Sequence, residues 1–176
     1  MMKKYIALLR GINVSGCKKV PMAELRELLS KVGFRNVQTY IQSGNVVFQS
    51  SEGNKQALEE IIQNEIQQCF GFEVPVLVLT SSEIKEIFDS CPFSEEKKEK
   101  SYFTLLHTTP SQELVISTLK EDYPNETFYI KDQCVYFYSL NGYGKAKCNN
   151  NFFERKLKVS ATTRNYKTMV KLIAMS

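Results

Sequence analysis

Tryptophan is absent from this chain of 176 residues, and histidine occurs once, as His107. One imidazole cannot build the histidine clusters that hold zinc or copper, and a Ser-His-Asp or Cys-His relay would have to run through that single residue. His107 sits in Tyr102-Phe-Thr-Leu-Leu-His-Thr108, a strand pattern, which fits a partly buried strand histidine better than a general base. The five cysteines, Cys17, Cys69, Cys91, Cys134 and Cys148, are odd in number and contain no Cys-x-x-Cys pair. That speaks against a disulfide framework and a zinc cluster, so no metal site is expected. No apolar run approaches the roughly 20 residues that span a bilayer. Arg10 and Gly11 interrupt the first apolar run before it reaches the length of a secretory signal. These absences together predict a cytoplasmic protein with reduced thiols and no membrane partner.

Charge is present in unequal blocks. The net charge of +4 divides into +6 over residues 1–35, −9 over residues 36–141 and +7 over residues 142–176. Either the basic ends form a positive surface for an anionic partner, or they pair with acidic faces of the middle. A hydrophobic content of 43% is that of a folded chain rather than a disordered one.

The first fifty residues organise the rest. Tyr5 to Leu9 is a short strand-forming run that stops at Arg10-Gly11. After a loop with Gly16, Lys18 and Lys19, Pro21 opens a helix whose Met22, Leu25, Leu28, Leu29 and Val32 recur at helical spacing, and Gly33 stops it. Strands over 37–41 and 46–48 flank Gln42-Ser43-Gly44-Asn45, a hairpin turn. A helix over 55–70 and a strand over 74–79 complete a βαββαβ unit, the split plan of ferredoxin-like folds. In that plan the first and third strands run antiparallel side by side. Arg10, Gly11 and Asn13 therefore face Ser43, Gly44 and Asn45, and together they make a polar corner that can hold a ligand's oxygens. The same residues also suit a purely structural use, glycines for turn geometry and asparagines for caps.

Thr80-Ser-Ser82 caps a short helix over 83–89, and Ser94 to Lys100 reads as a solvated connector. From Tyr102 the plan restarts with strand, helix and hairpin, the last two strands lying over 127–131 and 134–140. The loop Asn141-Gly-Tyr-Gly-Lys-Ala-Lys147 carries glycines and the cations Lys145 and Lys147, again suited to an anion, although Walker and Rossmann spacings are missing. A helix over 149–157 and a terminal helix capped by Thr162 or Thr163 follow, with Arg164 and Asn165 at the first turn of the latter. Basic residues at that end oppose the helix dipole, an arrangement that an anion would relieve. The fold class is thus α+β, an α/β sandwich of two ferredoxin-like subdomains, the second a variant ending in helices. The division is 1–80, then a helix and charged linker over 81–100, then 101–176.

Tyr5-Ile-Ala-Leu-Leu-Arg-Gly-Ile-Asn-Val14, Val20-Pro-Met-Ala-Glu-Leu-Arg26, Thr39-Tyr-Ile-Gln-Ser-Gly-Asn-Val-Val-Phe48, and Ala161-Thr-Thr-Arg-Asn-Tyr166 with Lys171-Leu172 resemble the bacterial family catalogued as domain of unknown function 1697. The resemblance covers essentially the whole chain and implies a cytoplasmic protein of two ferredoxin-like subdomains. It implies no activity, and the cofactor, if there is one, is unknown. Ser15 stands where the family pattern usually has glycine, and Tyr166 where it usually has tryptophan.

Three function classes fit. One is a binding module that grips a phosphate-bearing small molecule or other anion through Arg10, Gly11, Asn13, Ser43, Gly44, Asn45, Lys145, Lys147, Arg164 and Asn165. Nucleic acid is less favoured as the ligand, because the aromatic-rich signature of RNA-reading sheets is missing. The second is an enzyme acting on an anionic small molecule, for which no general base presents itself. The third is a structural or interaction protein with no ligand.

Overall fold

Lys3–Leu9 forms the first strand, β1, of a computed structural model that describes all 176 residues. Helix α1 (Met22–Lys31), strands β2 (Arg35–Tyr40) and β3 (Asn45–Ser50), helix α2 (Lys55–Phe70) and strand β4 (Val76–Thr80) follow. The sheet order is β2-β3-β1-β4 with every pair antiparallel, which is the ferredoxin-like arrangement. Pro21 holds extended backbone immediately before α1. Asn54 caps α2 by accepting from the amides of Gln56 and Ala57, and Gly71 in the left-handed region ends it.

Both helices lie on one face of the sheet. Leu25, Leu29, Leu58, Ile62 and Ile66 pack there against Tyr5, Ala7, Leu9, Val46, Phe48, Val76 and Val78. Ile6, Leu8, Val47, Leu77 and Leu79, on the opposite face, are buried as well. Burial of both faces explains why β1 and β4 read as unbroken apolar runs rather than as alternating ones. At the β4 edge a Glu59 carboxylate oxygen accepts from the Val78 amide at 2.8 Å, so a side chain blocks pairing with another chain there. Burial raises the Glu59 carboxyl above its usual range, with the Val78 amide acting in the other direction.

Helix α3 (Ser81–Asp89) opens on a capping box: the Glu83 amide donates to the Thr80 hydroxyl, and the Thr80 amide donates to the Glu83 carboxylate. Helix α4 (Glu95–Lys98), strand β5 (Tyr102–Leu106), helix α5 (Gln112–Leu119), strands β6 (Glu126–Lys131) and β7 (Cys134–Ser139), helix α6 (Asn150–Leu157), strand β8 (Ala161–Asn165) and helix α7 (Tyr166–Met175) complete the chain. Their sheet order is β6-β7-β5-β8, the first plan repeated in full. The chain divides into two units, Met1–Glu86 with Val170–Ser176, and Ile87–Met169. Residues 170–176, read from the sequence as part of the second subdomain, thus group with the first.

Three local expectations are corrected. The second unit does not pass from its glycine loop to helices alone, because Ala161–Asn165 pairs with β5 as a fourth strand. Thr162 and Thr163 lie in that strand, and the cap of α7 is Asn165, whose side-chain oxygen accepts from the Thr168 amide at 2.9 Å. The charged run after Ser94 is not wholly solvated either. Lys98 is buried with its ammonium 4.0 Å from the centre of the Phe88 ring, and Lys97 lies over Phe93 and Tyr138. Aromatic faces attract these cations and draw the run onto the unit.

The cysteines are all unpaired, Cys17 and Cys69 exposed, Cys134 and Cys148 buried. Burial pushes the Cys134 thiol well above its ordinary range. Burial, reinforced by Glu126, pushes Cys148 up to about 12. Since the thiolate is the reactive form, a maleimide reagent at neutral pH is expected to modify Cys17 and Cys69 quickly. Cys134 and Cys148 should stay unmodified until denaturant is added, as peptide mapping by mass spectrometry would show. Rapid labelling of either buried thiol in native protein would contradict their placement.

Candidate functional site

Antiparallel pairing of β1 with β3 sets Leu8 opposite Asn45, and this register brings the exit of β1 against the first hairpin tip. The Leu9 amide donates to the Gly44 carbonyl at 2.8 Å, and the Arg10 amide donates to the Pro75 carbonyl at 3.0 Å. Gly44 has φ +82°, and a Cβ placed on it would stand 2.5 Å from the Leu9 Cβ. Only glycine suits a left-handed turn so close to a neighbouring strand.

The asparagines knit the corner together. Asn13 donates through Nδ2 to the Gln42 carbonyl at 2.7 Å and to the Val20 carbonyl at 3.0 Å, and its Oδ1 accepts from the Val20 amide at 2.8 Å. Both its N–H groups are therefore committed to the fold. Asn45 is fully buried and donates through Nδ2 to the Tyr40 carbonyl at 3.1 Å and the Ser43 hydroxyl at 2.9 Å. These two residues shape the loops rather than offer donors outward. Asn13, Ser15, Lys18 and Ile41 all take left-handed backbone, at φ of +55°, +49°, +47° and +48°. Ser15, the departure from the family's usual glycine, is one of them.

Arg10 is half-buried, whereas Gly11, Lys18, Lys19 and Ser43 are exposed. Lys18 donates to the Glu73 carbonyl at 2.7 Å, on the loop that enters β4. No aspartate or glutamate occurs among residues 1–23 or 36–51, so the loop from Arg10 to Lys19 carries positive charge only and the hairpin none, while Glu73 on the loop into β4 is the acidic residue beside them. Lys18 and Lys19 are missing from the residues read as a site. Their place on the loop that starts at Arg10 is the signal that could have added them.

The four other expected residues belong to the second unit. Lys145 ends a short 3-10 turn, Tyr143–Lys145, and is exposed, as is Lys147. The amides of Lys147 and Cys148 donate to the two carboxylate oxygens of Glu126 at 2.8 and 2.9 Å. An internal carboxylate thus takes the backbone donors that the glycine loop was expected to offer an external anion. Arg164 is a buried strand residue, not part of the first turn of α7. Its Nη1 donates to the Thr162 hydroxyl at 2.8 Å and the Thr163 carbonyl at 2.9 Å. Burial pulls its guanidinium down to about 10, which leaves it charged at neutral pH. Asn165 is committed to its helix cap. His107 is half-buried just after β5, its amide donating to the Ser160 carbonyl at 2.9 Å. No three His, Cys, Asp or Glu side chains gather in a way that could hold a metal ion, and no helix is long and apolar enough to cross a membrane.

No curated protein matches the chain. Among solved structures it is similar to that of a conserved bacterial protein from Streptococcus pneumoniae. The likeness covers 99% of each chain at 27% identity, with a TM-score of 0.79. The model for proteins of unknown function, DUF1697, matches residues 2–136, a span that takes in the whole corner and runs into the second sheet. The chain belongs to the DUF1697 family of proteins of unknown function.

Proposed function

We propose that this protein binds a phosphate-bearing small molecule, or another small anion, at the corner of its first unit. The supporting observation is that Arg10, Lys18 and Lys19 share one loop without acidic residues, which Asn13 ties to the hairpin that Asn45 shapes. Arg10 is the residue on which recognition centres. A guanidinium carries five N–H donors in a planar fork, so it can serve the fold and a phosphate at once. Lys19 adds charge from the rim. Asn13 and Asn45 are positioning residues, and Gly11 lets backbone come close to the ligand. Five unpaired thiols suit a cytoplasmic setting, where such ligands are abundant.

A thermal-shift series with phosphate, pyrophosphate, sugar phosphates and nucleotides tests this reading. A ligand at a hundred times its dissociation constant adds about 2.7 kcal/mol, which for a chain of this size raises Tm by roughly 5–10 °C. The shift is expected in wild-type protein and should be reduced in Arg10→Ala. No shift with any probe, or an undiminished one in Arg10→Ala, would end the proposal. Short oligonucleotides belong in the same series, since a response falling steeply with salt would identify nucleic acid as the partner instead.

A further inference from the structure

We infer a second binding site in the first unit, a groove along the outer edge of β2 that takes a small molecule joining a dianionic group, such as a phosphate monoester, to an apolar body. Strand β2 pairs on one side only, with β3. Along its other side runs a groove of about 520 Å³, lined by Arg26 of α1, by Val37, Thr39 and Tyr40 of β2, and by Lys171 and Met175 of α7. The groove is shallow and open to solvent, so it would cover one side of a small ligand rather than enclose it. The groove is separate from the corner: neither Arg10 nor Lys18 nor Lys19 lines it.

Its chemistry is specific in sign. Arg26 is half-buried and donates from Nη1 to the Thr39 hydroxyl at 2.5 Å, which orients the guanidinium and leaves its other donors available. Lys171 is exposed on the α7 side. Neither cation is ion-paired to a carboxylate, and no acidic residue lines the groove. Two unpaired cations facing one space match two negative charges, and a planar fork beside a point charge suits a terminal phosphate. Val37, Met175 and the Tyr40 ring are half-buried and supply an apolar wall.

An open sheet edge is where a peptide strand could add, but the backbone of β2 disfavours it. A bulge between Arg35 and Gln38, with Asn36 at φ +51°, leaves only Gln38 to Tyr40 in regular register. Bulged, short edges are how sheets resist strand addition, so a compact ligand fits better than an extended one.

The test is a titration of the full ¹⁵N-labelled chain with phenyl phosphate, followed by amide chemical shifts. Saturable changes at Val37, Thr39, Tyr40 and Met175 are expected. Arg26→Gln and Lys171→Gln should each weaken binding about tenfold or more, the worth of one hydrogen bond to a charged group. Inorganic phosphate should bind at least about tenfold more weakly than phenyl phosphate, because it forgoes the apolar wall. Arg10→Ala should leave these changes intact, which separates the groove from the corner. Equal affinity in the Lys171→Gln protein would overturn the inference, and this exposed position decides the matter if Arg26→Gln fails to fold. It would equally be overturned by changes confined to Gly11, Ser43 and Gly44, or by phosphate binding as tightly as its phenyl ester.

Discussion

Gly44→Ala is expected to destabilise the first unit by about 2–5 kcal/mol, combining about 1–2 for a left-handed non-glycine residue with about 1–3 for overpacking. Both contributions rest on geometry: φ is +82°, and the new methyl would meet the Leu9 Cβ at 2.5 Å, the Ile12 Cδ1 at 3.1 Å and the Leu9 carbonyl at 3.2 Å. Strand β1 is central in its sheet, so it has no freedom to retreat. Gly11→Ala is the matched control. It shares positive φ, at +72°, but has nothing within 4 Å of the added carbon, so only the backbone contribution remains. Urea unfolding of both variants, read by circular dichroism, should separate them by at least about 1 kcal/mol. Equal losses would mean that the hairpin tip does not rest on β1, and the corner as described would not exist.

Glu126→Ala is expected to cost about 2–4 kcal/mol in the second unit. Two hydrogen bonds to a carboxylate disappear, each worth about 1.5–3 kcal/mol, with a discount because Lys147 is exposed and water can reach its amide. Cys148 is buried, so its amide has no such recourse. Glu126→Gln keeps one acceptor and turns the other position into a donor facing an N–H, and should fall between wild type and alanine. Formate, which has the head group of the lost side chain, should recover part of the deficit in Glu126→Ala if the loop keeps its shape. A loss of only a few tenths of a kcal/mol would show that the loop is held by other means and would restore it as a candidate for external anions.

Topology was legible because periodicity and glycine punctuation are strong in the first fifty residues. Once βαββαβ is inferred, antiparallel pairing leaves no choice but to set Arg10 beside Gly44. Strand β8 was hidden for a physical reason. Ala161-Thr-Thr-Arg-Asn165 contains no large apolar side chain, and its threonines suit caps as well as strands. Burial of Arg164 among threonine hydroxyls is a tertiary property with no local pattern. The clamp on the glycine loop was hidden for a different reason: Glu126 lies 21 residues from Lys147 in sequence. Spacing within a loop shows which donors it carries, and only the fold shows which acceptor reaches them. The groove along β2 was equally out of reach, because Arg26, Tyr40 and Lys171 come from three separate elements.

The grouping of residues 170–176 with the first unit has a bearing on synthesis at the ribosome. Chains usually mature from the front, each domain closing as it leaves the exit tunnel. Here residues 170–176 join the leading unit although they are translated more than eighty residues after its own last strand, Val76–Thr80. A nascent chain stalled before residue 170 would carry the first sheet and its core without the segment that later packs beside β2. Lesions at the tail would register in the part of the protein made first.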